Sequence, residues 1–190
     1  MNRYDKPLAA LFATLIAGFL YLAFTNQSFL IWAFERHQNQ LSWYIRPLFI
    51  IPYCYYAYKQ SYTGLFATIF LLMTSMFWFP VPSVISPAVE KFLAMEKEWL
   101  RSTWSMKEAI LGLTVPIFFA VLALAFWKRS LVFGLAIVVL AAVGKILWSI
   151  GAEADAGTSV VVPALLGLVI CVVLLYYGFK RLEKNKSLHS

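Results

Sequence analysis

"LVFGLAIVVLAAVGKILWSI", residues 131–150, is twenty residues long and carries one charge, Lys145. A helical bilayer crossing needs about 20 predominantly apolar residues, which this run supplies. Working outward, five further stretches have the same character: 7–24, 41–58, 62–79, 108–127 and 160–179. The whole chain of 190 residues is 62% hydrophobic and 13% charged, against roughly half and a quarter in soluble domains. A membrane β-barrel would instead show short alternating segments. These features predict an all-α, polytopic transmembrane helical bundle of six spans. The chain 1–190 forms a single transmembrane domain, with one amphipathic helix between spans three and four.

The stretch 81–107 is the longest outside the spans, too short for an ATPase, kinase or nucleic-acid module. The net charge of +7 is therefore read as topology, not as a nucleic-acid footprint. With both termini in the cytoplasm, nine Lys and Arg residues fall inside, in the N-terminus, the two short turns and the tail. Five (Arg36, Lys91, Lys97, Arg101 and Lys107) fall in outer loops. That bias follows the positive-inside rule. It predicts an integral membrane protein of a bacterial inner membrane or its equivalent. The apolar run 7–24 lacks an A-x-A cleavage pattern after it and reads as a retained span. The turns 59–61 and 128–130 make their flanking helices antiparallel neighbours, and 151–159 reads as a short acidic loop.

On this topology Trp32, Trp43, Trp78, Trp99, Trp104 and Trp148 gather at the outer interface, with Tyr dominating the inner one. Prolines inside spans at Pro47, Pro52 and Pro116 remove backbone donors and should bend their helices. Span three ends at Pro80-Val81-Pro82. Ser86-Pro87 then reads as an N-cap with proline in the first turn, opening a helix over 87–104. At helical spacing Val89, Phe92, Leu93, Met95, Trp99, Leu100 and Trp104 share one side, and Glu90, Lys97, Glu98 and Arg101 the other. The helix should lie on the outer membrane surface or cap the outer mouth of the bundle.

Glu96 sits within the apolar stripe, four residues from both Phe92 and Leu100. A carboxylate there must take a proton or find a cation. Arg46 in span two and Lys145 in span five are the cations at matching depth. Charges inside spans are costly and usually face the bundle interior. Arg46, Glu96 and Lys145 are thus expected to converge. Glu108 is a fourth charged candidate, Trp43 and Trp99 are rim candidates, and Glu35 and His37 lie in the loop before span two.

No metalloprotease, nucleophile-elbow, phosphate-loop or dinucleotide signature is present in the sequence. His37 and His189 are the only histidines, and Cys54 and Cys171 lack metal or redox spacing, so no metal or cofactor is expected. Glu153 and Asp155 are too sparse for a calcium loop. Asn26-Gln27-Ser28 matches the N-glycosylation pattern. The sequence therefore points to a non-enzymatic membrane protein that binds or passes a small anionic or lipid-like ligand at an outer charged pocket. Membrane lipids are the expected partners, and a homo-oligomer or a partner membrane subunit is compatible with the small size. Two alternatives stay open: an enzyme acting on an outer-leaflet lipid through Glu96 or His37, and an accessory subunit docking through its Trp-rich helix.

Overall fold

The computed structural model describes residues 3–152 and 154–187. Glu153 and His189 lie outside them. The described residues form helices joined by turns and short loops, without strands. In chain order the helices are α1 (Asp5–Thr25), α2 (Gln27–His37), α3 (Leu41–Ile45), α4 (Ile50–Tyr58), α5 (Tyr62–Thr74), α6 (Pro87–Arg101), α7 (Met106–Trp127), α8 (Leu131–Ala152) and α9 (Ala154–Ser187). Four of them, α1, α7, α8 and α9, are long and apolar enough to cross a membrane.

Two of the six expected spans differ from expectation. The stretch 41–58 is a broken path: α3, a 3-10 turn at Arg46–Phe49, then α4. Pro47 stands in the first turn of the 3-10 segment, where its missing N–H and fixed φ favour a new start. The stretch 62–79 is a 13-residue helix continued by a 3-10 turn at Ser75–Phe77. At 1.5 Å per residue its α-helical part spans only about 20 Å. The other differences are smaller. Residues 27–37, read as loop, form α2, because Asn26 caps it: its Oδ1 accepts from the Phe29 N–H at 2.9 Å. The acidic loop shrinks because α8 runs to Ala152 and α9 starts at Ala154. The amphipathic helix stops at Arg101, three residues early. Ser86 occupies its N-cap position but makes no side-chain cap.

The hairpins α4–α5 and α7–α8 are built alike. Gln60 and Arg129 take left-handed φ values of 57° and 60°. Behind each, the next N–H reaches back five residues: Ser61 to Tyr56 O at 3.0 Å and Ser130 to Ala125 O at 2.9 Å. This is the Schellman termination, which satisfies the last carbonyls of a helix and reverses the chain tightly. In both hairpins a glycine of the second helix receives an aromatic ring of the first, Gly64 against Tyr56 and Gly134 against Phe126. The two turns lie at the same end of the bundle. Arg129 stacks over Tyr58 at 5.0 Å, and Tyr62 lies 5.0 Å from Trp127. Asp5 joins them, its carboxylate accepting from the Ser61 hydroxyl at 2.8 Å and from Tyr62 N and Thr63 N at 3.0 and 3.1 Å.

The packed interior divides in two. One cluster, toward the turn end, centres on Tyr53, Cys54, Leu122, Phe126, Cys171 and Leu175. Thus α4, although short, is enclosed by α5, α7 and α9. The other cluster, at the opposite end, joins Leu30 and Phe34 of α2, Trp43 of α3, Val89, Phe92 and Leu93 of α6, and Val160 of α9. The apolar side of α6 is therefore spent on protein. The helix packs against the end of the bundle through Val89, Phe92 and Leu93. The outward faces of α7 and α8 remain apolar and exposed, with Val132, Leu140 and Leu147 among the most open.

Candidate functional site

The second cluster forms the floor of a charged group. Lys145, seven residues before the end of α8, extends toward α6, and its Nζ lies 3.0 Å from Glu96 Oε1. The misfit acid of α6 has its cation. Side-chain exposure is 45% at Lys145 and 23% at Glu96, so the pair sits at a rim, not in the core. The Lys145 ammonium also stands 4.5 Å from the Trp148 ring centroid and 5.2 Å from that of Phe92. Both distances suit cation–π attraction.

Arg46 begins the 3-10 turn and is half-buried. Its guanidinium meets His37, not Glu96 directly, with Nη1 3.1 Å from His37 Nε2. Glu96 lies within electrostatic range of that guanidinium. The other ring nitrogen, Nδ1, is 2.9 Å from Ser42 Oγ, and the Ser42 hydroxyl donates to Asn39 O at 2.8 Å. Asn39 in turn donates from Nδ2 to Pro80 O at 3.0 Å, fastening the segment after α5. Trp43 Nε1 donates to His37 O at 2.9 Å, and the Trp43 ring lies 5.7 Å from Phe92. His37 is 5% exposed and Ser42 fully buried. Burial disfavours the imidazolium, and Arg46 and then Lys145 repel it further, so the His37 pKa lies well below the ordinary 6.5. His37 is neutral at pH 7.

Arg46, Glu96, Lys145 and Trp43 are thus gathered at one end of the bundle, and His37 joins them. Trp99 and Glu108 are placed elsewhere. Trp99 packs against Trp104 with ring centroids 4.9 Å apart, and Trp104 in turn meets Phe24 edge-on. Glu108 is half-buried and serves α7 as the third residue of a capping box: its Oε2 accepts from the Ser105 N–H at 2.9 Å and from the Ser105 hydroxyl. Glu35 points outward as an exposed residue. Two shallow cavities, of about 330 and 400 Å³, also lie away from the charges. The first is between α4 and α5, against Pro52, Tyr56 and Thr68. The second is between α1 and α5, against Lys6, Ala13 and Phe66.

Sequence reasoning passed over Ser42 and Asn39. A partial signal was available, since Ser42 and Arg46 are four residues apart and so share a helix face. Among the described residues, no group of three or more His, Cys, Asp or Glu side chains could hold a metal ion. Comparison with known proteins gave no matching family model, no matching curated protein and no matching solved structure.

Proposed function

We propose that the protein binds an anionic amphipathic ligand, of the kind a lipid headgroup supplies, at the Arg46–Lys145 cluster. One observation carries this reading. Two cations from separate segments lie near a single carboxylate, Glu96, which contacts Lys145 and is within electrostatic range of Arg46, and the histidine beside Arg46 is neutral. The group therefore holds one positive charge in excess, inside a rim of Trp43, Trp148 and Phe92. Charges kept this close to an apolar environment are costly without a partner. Glu96 stands where a ligand's anionic group would contact Lys145, and α6, which carries it, would serve as the lid. Lys145 is exposed enough to exchange one carboxylate for another anion. A hydrolytic or proton-transfer role for His37 is disfavoured because both ring nitrogens are occupied.

The same reading takes the chain as crossing the membrane six times, with both termini cytoplasmic and the charge cluster on the outer side. Supporting this, 41–58 and 62–77 each connect the end that holds the two basic turns with the end that holds the cluster. Cysteine replacement at Gln60, in a background lacking Cys54 and Cys171, should be labelled by an impermeant maleimide only from the cytoplasmic side. Labelling from outside would reverse the orientation.

The ligand is tested with a short-chain phosphatidylglycerol titrated into detergent-solubilised protein, followed by tryptophan fluorescence. Phosphatidylcholine of the same length and inorganic phosphate are the other two arms. Binding of the anionic lipid that weakens in Lys145→Met supports the proposal. Equal affinity in Lys145→Met removes it. Phosphate binding as tight as the lipid would assign the site to a free anion.

A further inference from the structure

Resting on the anion-site reading, we infer that His37 is a positioning residue. It is the neutral acceptor that aims Arg46, and Ser42 fixes the one tautomer able to do so. Guanidinium groups only donate hydrogen bonds. Arg46 Nη1, 3.1 Å from Nε2, therefore requires that nitrogen to be bare and to accept. The ring proton is then on Nδ1, where it donates to Ser42 Oγ at 2.9 Å. Ser42 can receive it because its own hydroxyl proton is directed to the Asn39 carbonyl at 2.8 Å. Each link has one direction, and the order is Arg46 to His37 to Ser42 to Asn39.

The consequence reaches the site. An arginine with rotatable bonds loses less freedom on binding an anion when one edge of its guanidinium is already held. His37 holds Nη1, and the other guanidinium nitrogens are the donors proposed for a ligand. Protonating His37 would replace the acceptor with a second donor facing Arg46, and the arrangement could not persist. The charged groups facing the ring are Arg46 from the 3-10 turn and Lys145 from α8, with Glu96 of α6 beyond them. On α2 itself Glu35 is exposed and Arg36 stacks over Trp32 at 5.0 Å. From α9 the packed residues are Val160 and Ala164, which carry no charge.

Two measurements test this. In protein labelled with ¹⁵N-histidine and placed in lipid nanodiscs, His189→Ala leaves His37 as the single imidazole. Its spectrum at neutral pH should show a protonated Nδ1 and a bare Nε2. The opposite tautomer, or an imidazolium, overturns the inference. Second, short-chain phosphatidylglycerol is titrated into two variants. His37→Gln can place an amide oxygen near the Nε2 position and should bind close to wild type. His37→Asn cannot reach and should bind about tenfold more weakly, the scale of one hydrogen bond to a charged group. Equal affinities for the two variants overturn the inference. The spectrum needs no ligand, so the two ideas fail separately. The predicted tautomer in a protein that ignores the lipid sinks the anion site. Lipid binding that is indifferent to His37→Asn sinks the positioning role.

Discussion

Lys145 and Glu96 lie 49 residues apart in the chain, yet their charged atoms are 3.0 Å apart, joining α8 to the capping helix α6. The contact is partly open to solvent, so its coupling should be modest, about 0.5–1 kcal/mol as for other exposed pairs. Lys145→Met also discards the attraction of the ammonium to Trp148 and Phe92. It should therefore cost more stability than Glu96→Gln. A double-mutant cycle on thermal unfolding in detergent measures the coupling, and strictly additive losses would contradict a direct pair.

Asp5 caps a helix to which it does not belong. It begins α1, but its carboxylate serves the first turn of α5 through Tyr62 N, Thr63 N and the Ser61 hydroxyl. Thr63 Oγ1 returns a bond to Asp5 O at 2.6 Å. Asp5→Ala should cost about 1–2 kcal/mol, the range of a lost N-cap. Asp5→Asn should rescue only part, since its amide nitrogen turns a donor toward donors. Heating curves for the two variants, with protease sensitivity of α1, check the order Ala below Asn below wild type.

Gln60 and Arg129 hold equivalent left-handed positions, so glycine should relieve the same backbone cost at both. The side chains differ in what they lose. Arg129 rests over Tyr58 and ties the two hairpins together. Gln60→Gly should therefore raise stability by about 0.5 kcal/mol, less than the full left-handed cost because glycine also loosens the unfolded chain. Arg129→Gly should give no gain or a loss. Melting temperatures of the two variants under one condition decide it, and a larger gain at Arg129 would contradict the stacking role.

What the sequence made legible follows from which signals are local. Long apolar runs mark α1, α7, α8 and α9, because a bilayer imposes length and composition on each crossing. Glu96 announced itself by breaking a periodic stripe, and the cation it required proved to be Lys145. The broken path at 41–58 was less visible. Pro47 signals a bend, but its packing against Gly167 of α9 and the bond from Cys171 Sγ to Pro47 O at 3.2 Å are long-range contacts that no local pattern announces. Asn26 was read for a glycosylation pattern when its short side chain was capping α2. Arg46 stood out as a charge in an apolar run, but its pairing with His37 was hidden because His37 interrupts no pattern. The pairing exists only once α2 and α3 fold back on each other around Trp43.

His37 gives stability a direction in pH. Its pKa is lowered in the folded protein, by burial first and by Arg46 and Lys145 second. The unfolded chain therefore takes up the proton at higher pH than the native one. Above the ordinary value of 6.5 neither state is protonated, and the full contribution of neutral His37 is present. As pH falls below that value the unfolded state gains protons while the native state does not. Stability is lost at up to about 1.4 kcal/mol per pH unit, until the lowered pKa is passed. His37→Gln cannot titrate, so the difference in melting temperature between wild type and His37→Gln should be flat above neutrality and shift against wild type on acidification. The carboxylates titrate in both proteins and cancel in that difference. A difference that stays constant through the acid range would mean that His37 titrates normally in the folded state, and that the Arg46 bond is not holding it neutral.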